Sequence, residues 1–135
     1  MYPVAVEATR YRKLLGAEKV KILADIQVKY TYMLSKDISL IDSAKMAQSS
    51  GADAVIVTGV STGQQTPIEA LEQVKKNVKI PVLIGSGVSV NNVKEQFAIA
   101  DGAIIGSAFK EGKDISKPIS YELTKEFMDK VKEIK

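Results

Sequence analysis

Apolar residues recur along this chain at two alternating periods. Val4, Ala8, Tyr11 and Leu15 fall at helical spacing and Gly16 follows as a stop, which predicts a first helix. Over residues 21–29 the pattern becomes strict alternation, with Ile22, Ala24, Ile26 and Val28 on one face and Leu23, Asp25, Gln27 and Lys29 on the other. That is the mark of a strand. Ser39-Leu40-Ile41-Asp42 has the form of a capping box and opens a helix through Leu40, Ala44 and Ala47 as far as Gly51. Residues 54–58 are a continuous aliphatic run, as in a buried parallel strand. Thr66-Pro67-Ile68-Glu69 combines a cap, a proline at the first helical position and a glutamate that reaches back, ahead of the stripe Ile68, Leu71, Val74 and Val78.

The cycle then repeats. Residues 80–84 read as a strand, Gly85 to Val88 as a loop, and Val90, Val93 and Phe97 as a helix face capped by Ser89. Residues 103–105 form a fourth strand, and a last helix from the cap Ser120 buries Leu123, Phe127, Val131 and Ile134. The result is an α/β chain, one domain over residues 1–135, whose four β/α units imply a parallel sheet. Such units make either an open doubly wound, flavodoxin-like sheet or half of a (β/α)8 barrel. The polar row Asp25, Gln27 and Lys29 favours the half-barrel, because a strand covered by helices on both faces would bury it at a cost.

Composition narrows the chemistry. At 45% hydrophobic and 26% charged residues the chain has ordinary globular make-up. It has no cysteine and no histidine, so disulfides, thiolate nucleophiles and imidazole chemistry are all excluded. No metal site and no cofactor is expected. No run approaches the roughly 18 apolar residues of a membrane helix, and the first residues lack the pattern of a secretion signal. Membrane insertion is not expected and a cytoplasmic location is. The net charge of +3 is modest and the basic residues 10–13 read as a solvated helix face, which argues against a nucleic-acid partner.

Two glycine-serine segments carry the functional signal. Gly85, Ser86 and Gly87 follow the third strand, and Gly106, Ser107 and Ala108 follow the fourth. Glycine lets backbone approach a ligand, and successive N–H groups present positive charge to an anion. Loops after consecutive strands match the phosphate site that (β/α)8 barrels build after strands seven and eight, although a whole barrel takes about 250 residues. A phosphorylated small molecule is the expected ligand. Thr58, Gly59, Thr62 and Gly63 extend the mouth from the second strand, and Gln27 faces it from the first. Asp25 as acid/base or metal ligand and Lys29 as an electrostatic partner for the substrate are the candidate catalytic residues, with a structural polar network of the barrel interior as the alternative. Their Cα atoms lie roughly 13 Å apart on one strand face, too far for direct pairing. Lys110 and Lys113 read as solvated loop lysines or as supplements to the anion site, and Asp101 as a cap or turn residue before the fourth strand.

Four segments together carry a resemblance: residues 24–29 (Ala-Asp-Ile-Gln-Val-Lys), residues 51–59 with Thr62-Gly63, residues 81–88 (Pro-Val-Leu-Ile-Gly-Ser-Gly-Val) and residues 101–110 (Asp-Gly-Ala-Ile-Ile-Gly-Ser-Ala-Phe-Lys). In this order they resemble the BtpA/SgcQ family over nearly the whole chain. The resemblance implies a (β/α)8 fold of about twice this length, with the present chain as its C-terminal half, strands five to eight. One branch of that family is associated with photosystem I biogenesis and another with sugar-catabolic operons. Three functions follow as expectations: an enzyme, or half of one, acting on a sugar phosphate or nucleotide-like ligand; a non-catalytic binding or assembly module; or a truncated or split-gene product. The expected protein partner is a second copy or a complementary N-terminal half-barrel chain.

Overall fold

The structure is a computed structural model that describes residues 4–27, 37–59 and 65–134. Helix α1 (Val4–Leu14) leads into β1 (Leu23–Ile26), followed by α2 (Leu40–Ser49), β2 (Ala54–Val57), α3 (Ile68–Asn77), β3 (Val82–Ile84), α4 (Val93–Phe97) and β4 (Gly102–Ala103). Two 3-10 turns, Ser107–Phe109 and Glu111–Lys113, precede α5 (Tyr121–Lys132). The strands are parallel and lie side by side in chain order.

The register explains the alternation. Asp25 pairs with Ile56, Ile56 with Leu83 and Leu83 with Gly102, so these residues share one face of the sheet. Ala24, Ile26, Val55, Val57, Val82 and Ile84 point the other way, into a single apolar core with Ala44, Ala47, Leu71, Val74, Val93, Phe127 and Val131 of the helices. On the first face Leu23 stays 47% exposed, and Asp25 is exposed. A sheet wound in sequence order with its helical core on one face is a half-barrel. A doubly wound sheet reverses its order at a switch point and covers both faces, so that alternative does not hold.

Two aspartates fasten the sheet at the N-terminal ends of its strands. Asp53 donates its N–H to the Ile22 carbonyl (2.8 Å) while its carboxylate accepts the Ile22 N–H (2.8 Å) and pairs with Arg12 of α1. Asp101 repeats the arrangement with the Val82 carbonyl (2.9 Å), the Val82 N–H (2.7 Å) and Lys75 of α3. The Ile22 N–H and the Arg12 guanidinium hold the Asp53 carboxyl at a pKa of about 2. Burial pushes the Asp101 carboxyl up, but Lys75 and the Val82 N–H outweigh it and leave its pKa below the usual range. Asp101 is thus more than the cap or turn residue expected from sequence.

Several local expectations are corrected. The stripe over α1 forms the expected helix, yet Tyr11 is 62% and Leu15 61% exposed. That helix is attached instead by polar groups, Arg12 to Asp53 and the Thr9 hydroxyl to the Ser50 carbonyl (2.8 Å). Thr66 does not cap α3. It is fully buried and its hydroxyl donates to the Ser86 carbonyl (3.3 Å), while α3 has no side-chain cap. Ser89 is not a cap either, because α4 begins later, after a turn in which Asn92 Oδ1 accepts the Ser89 N–H (2.8 Å). The capping serines Ser39 and Ser120 accept from Asp42 and Leu123 as expected.

Candidate functional site

All six residues of the two glycine-serine segments line one cleft of about 260 Å3 at the C-terminal ends of β3 and β4. Val88, Ile104, Ile105 and Ile115 complete it, and no charged side chain takes part. Any anion there would be held by backbone N–H groups and hydroxyls. Gly87 stands at φ 78°, a conformation open to glycine and strained for other residues. A Cβ added at Gly106 would meet nothing within 4 Å, so that position faces open space. Among the described residues, no acceptor is present for the N–H groups of Gly87, Ser107 and Ala108. Gly85 differs. Its N–H is bound to the Val57 carbonyl (2.8 Å), and an added Cβ would lie 2.4 Å from Thr58 Oγ1. It is a packing glycine whose neighbours, not a ligand, require the missing side chain.

The mouth of the sheet is joined by hydrogen bonds between candidate residues. Thr58 donates its hydroxyl to Asp25 Oδ1 (2.9 Å), and the Gly59 N–H donates to Ser86 Oγ (3.3 Å). Asp25, Thr58, Gly59, Gly85 and Ser86 therefore form a continuous rim from β1 to β3. Gln27 does not join it. At φ 52° it breaks the strand alternation, and its amide donates to the Ile38 carbonyl (3.1 Å) and to Ser43 Oγ (3.4 Å). It ties β1 to the start of α2. Lys29, Thr62 and Gly63 lie outside the described residues. Lys110 donates to the Ile115 carbonyl (2.6 Å), closing its own loop, and Lys113 is exposed.

Sequence reasoning missed the second layer behind the first loop. Buried Gln96 donates Nε2 to the Thr66 carbonyl (3.0 Å), and Asn92 Nδ2 donates to the Gly87 carbonyl (2.9 Å). A glutamine at a core position of an apolar helix face was the available signal. Two larger hollows, about 530 and 630 Å3, lie against α5 and α1. They run along helix surfaces lined by long side chains, without converging backbone groups, and are less suited to a small polar ligand.

Among the described residues, no helix is long and apolar enough to cross a membrane, and no three or more His, Cys, Asp or Glu side chains are grouped to hold a metal ion.

The chain is 39% identical over 127 residues to an uncharacterised mitochondrial protein of Caenorhabditis elegans, covering 93% of this chain and 46% of that one. It is 42% identical over 108 residues to an Archaeoglobus fulgidus protein (80% and 42%), and 31% identical over 131 residues to the sgc region protein SgcQ of Escherichia coli (96% and 48%). It thus spans about half the length of the curated relatives it matches. Among solved structures, GGGPS from Thermoplasma volcanium has a TM-score of 0.60 at 20% identity, over 96% of this chain and 55% of that one. Thiamine phosphate pyrophosphorylase from Pyrococcus furiosus has a TM-score of 0.58 at 19% identity, over 99% and 80%. At such identities the likeness is one of fold. The BtpA family model matches residues 1–133, with the four parallel β/α units described above, and the chain belongs to the BtpA family.

Proposed function

We propose that this chain binds the phosphate group of a small molecule, a sugar phosphate or a nucleotide-like compound, in the cleft between the loops after β3 and β4. The observation that carries the reading is convergence. Two loops 21 residues apart in sequence, Gly85 to Gly87 and Gly106 to Ala108, face one another across a cleft, and among the described residues the Gly87 N–H on one side and the Ser107 and Ala108 N–H groups on the other have no acceptor. A phosphate in that position is neutralised by oriented peptide dipoles, and needs no basic side chain. Asp25, fixed by the Thr58 hydroxyl on the open face of the sheet, is the group placed to exchange a proton with the remainder of the ligand. The chain then serves as the phosphate-binding half of a sugar or nucleoside enzyme, and corresponds to strands five to eight of the full barrel.

A second reading, a non-catalytic assembly module, draws support from the uncovered face. Among the described residues, several exposed large apolar side chains belong to the segments next to the first and last strands. Leu14, Leu15 and Leu23 stand at the β1 end, and Ile104, Ile115, Ile119 and Tyr121 at the β4 end. A second copy, or a complementary N-terminal half-barrel, would cover both ends at once.

Calorimetric titration with inorganic phosphate and ribose 5-phosphate tests the first reading. Gly87→Val and Gly106→Val are expected to weaken binding at least about tenfold, since valine forbids the φ of one and fills the space at the other. Lys113→Ala removes only a screened charge and is expected to change affinity less than about twofold. Folded wild-type protein that ignores both ligands would remove the reading.

A further inference from the structure

Thr66 is an odd residue to find in a core. It is fully buried, it precedes α3 by two positions, and its hydroxyl reaches the Ser86 carbonyl (3.3 Å), with the Val57 carbonyl as a longer second acceptor (3.5 Å), rather than its own helix. Its backbone carbonyl is in turn gripped by Nε2 of Gln96 (3.0 Å), another fully buried polar side chain. Among the described residues, Gln96 Oε1 has no hydrogen-bond partner. An unpaired buried acceptor is unfavourable in a core, so it is the engaged amide N–H of Gln96, holding the Thr66 carbonyl, that gives the residue a role there.

The consequence follows from peptide planarity. In a trans peptide the C=O of one residue and the N–H of the next point in opposite directions, and the described chain has no cis bond. Binding the Ser86 carbonyl to Thr66 therefore turns the Gly87 N–H away from Thr66. Binding the Gly87 carbonyl to Asn92 Nδ2 (2.9 Å) turns the Val88 N–H away from Asn92 by the same rule. Gly87 and Val88 line the cleft, whereas Thr66 does not. The cleft is therefore taken as lying on the side of the loop away from Thr66. Successive N–H groups aimed outward in this way make a nest of the kind that holds anions.

We propose that Thr66 is a positioning residue, which holds the Ser86–Gly87 peptide so that the Gly87 N–H points into the cleft, with Gln96 fixing Thr66 from behind. This inference rests on the anion-binding reading of the cleft for its purpose, but the peptide orientation can be read without any ligand.

The experiment compares wild-type protein with Thr66→Val, which keeps the shape and removes the donor, and Thr66→Ser, which keeps the donor. The Gly87 amide resonance is recorded first in the absence of ligand, and affinity for inorganic phosphate is then measured by calorimetry. The expected result is a displaced Gly87 resonance and an approximately tenfold loss of affinity in Thr66→Val, as when the Gly87 N–H no longer points at the phosphate. Thr66→Ser is expected to stay within about twofold of wild type, and thermal melting to show all three proteins folded. An unmoved Gly87 resonance in folded Thr66→Val overturns the positioning role. So does equal loss in Thr66→Ser and Thr66→Val, because the methyl group and not the donor would then matter. Wild-type protein silent to phosphate overturns the anion-binding reading, and the ligand-free resonance still decides the orientation.

Discussion

Gly85 and Gly106 open matching loops on neighbouring strands, yet the structure assigns them opposite sensitivities to one methyl group. At Gly85 an added Cβ would lie 2.4 Å from Thr58 Oγ1 and 2.8 Å from Ile56 Cγ2. Non-bonded carbon atoms prefer about 3.5–4.0 Å, so the intrusion approaches an ångström against two neighbours. Neither gives way easily, since Ile56 is 7% exposed and the Thr58 hydroxyl is committed to Asp25. Overpacking of this kind costs about 1–3 kcal/mol, and contact with two fixed groups places Gly85→Ala near the upper end. For a chain of this size that is a fall in Tm of about 10 °C. At Gly106 the same Cβ meets nothing within 4 Å and φ is −130°, so Gly106→Ala is expected to hold stability within about 0.5 kcal/mol. Thermal and urea unfolding of both variants measures the contrast. Combining Gly85→Ala with Thr58→Ala removes the nearest clash, and the pair is expected to lose less than the sum of the single changes. A Gly85→Ala protein melting within about 2 °C of wild type would refute the close approach and the packing role given to Gly85.

Two further outcomes follow from the same geometry. The Asp53 carboxyl is lowered from an ordinary 3.8 to about 2; a depressed acid stabilises the fold above its unfolded value and loses that contribution as pH falls through the folded one. The urea midpoint is therefore expected to drop between about pH 4 and pH 2, and Asp53→Asn to be less stable at neutral pH with a flatter profile in that window; an identical slope in the variant would refute the assignment. The exposed apolar residues at the two ends of the sheet are expected to drive self-association at about 25 cal/mol per Å2 covered, giving a sedimenting mass above the 14.6 kDa of one chain. Leu14→Glu with Tyr121→Glu is expected to restore the single chain, and a wild-type monomer independent of concentration would count against that surface.

The fold was legible because its signals are local. The capping box at Ser39, the stripe of α3 and the alternation from Ile22 to Ile26 depend on residues within a few positions, and each formed the predicted element. Sheet order was not local, but the exposed polar side of β1 indicated which face would remain open. The errors share a cause. Thr66 and Ser89 have the composition of caps, and distant or turn partners recruited their polar groups instead. Alternation also placed Gln27 beside Asp25, which holds only while the backbone stays extended, and at φ 52° it does not. The glycine-serine loops were visible as a pair. Their support by Thr66 and Gln96 was not, because it joins residues 20 and 30 positions apart that only the folded sheet brings together.

The central claim, that backbone N–H groups of two loops bind a phosphate, is tested most directly by following every backbone amide resonance during titration with inorganic phosphate. The account predicts saturable shifts led by Gly87, Ser107 and Ala108, with one dissociation constant for both loops, while amides of α1 and α5 stay fixed. Folded protein in which those three resonances remain still at saturating phosphate, or in which the largest shifts fall among the lysines of α5, would contradict it.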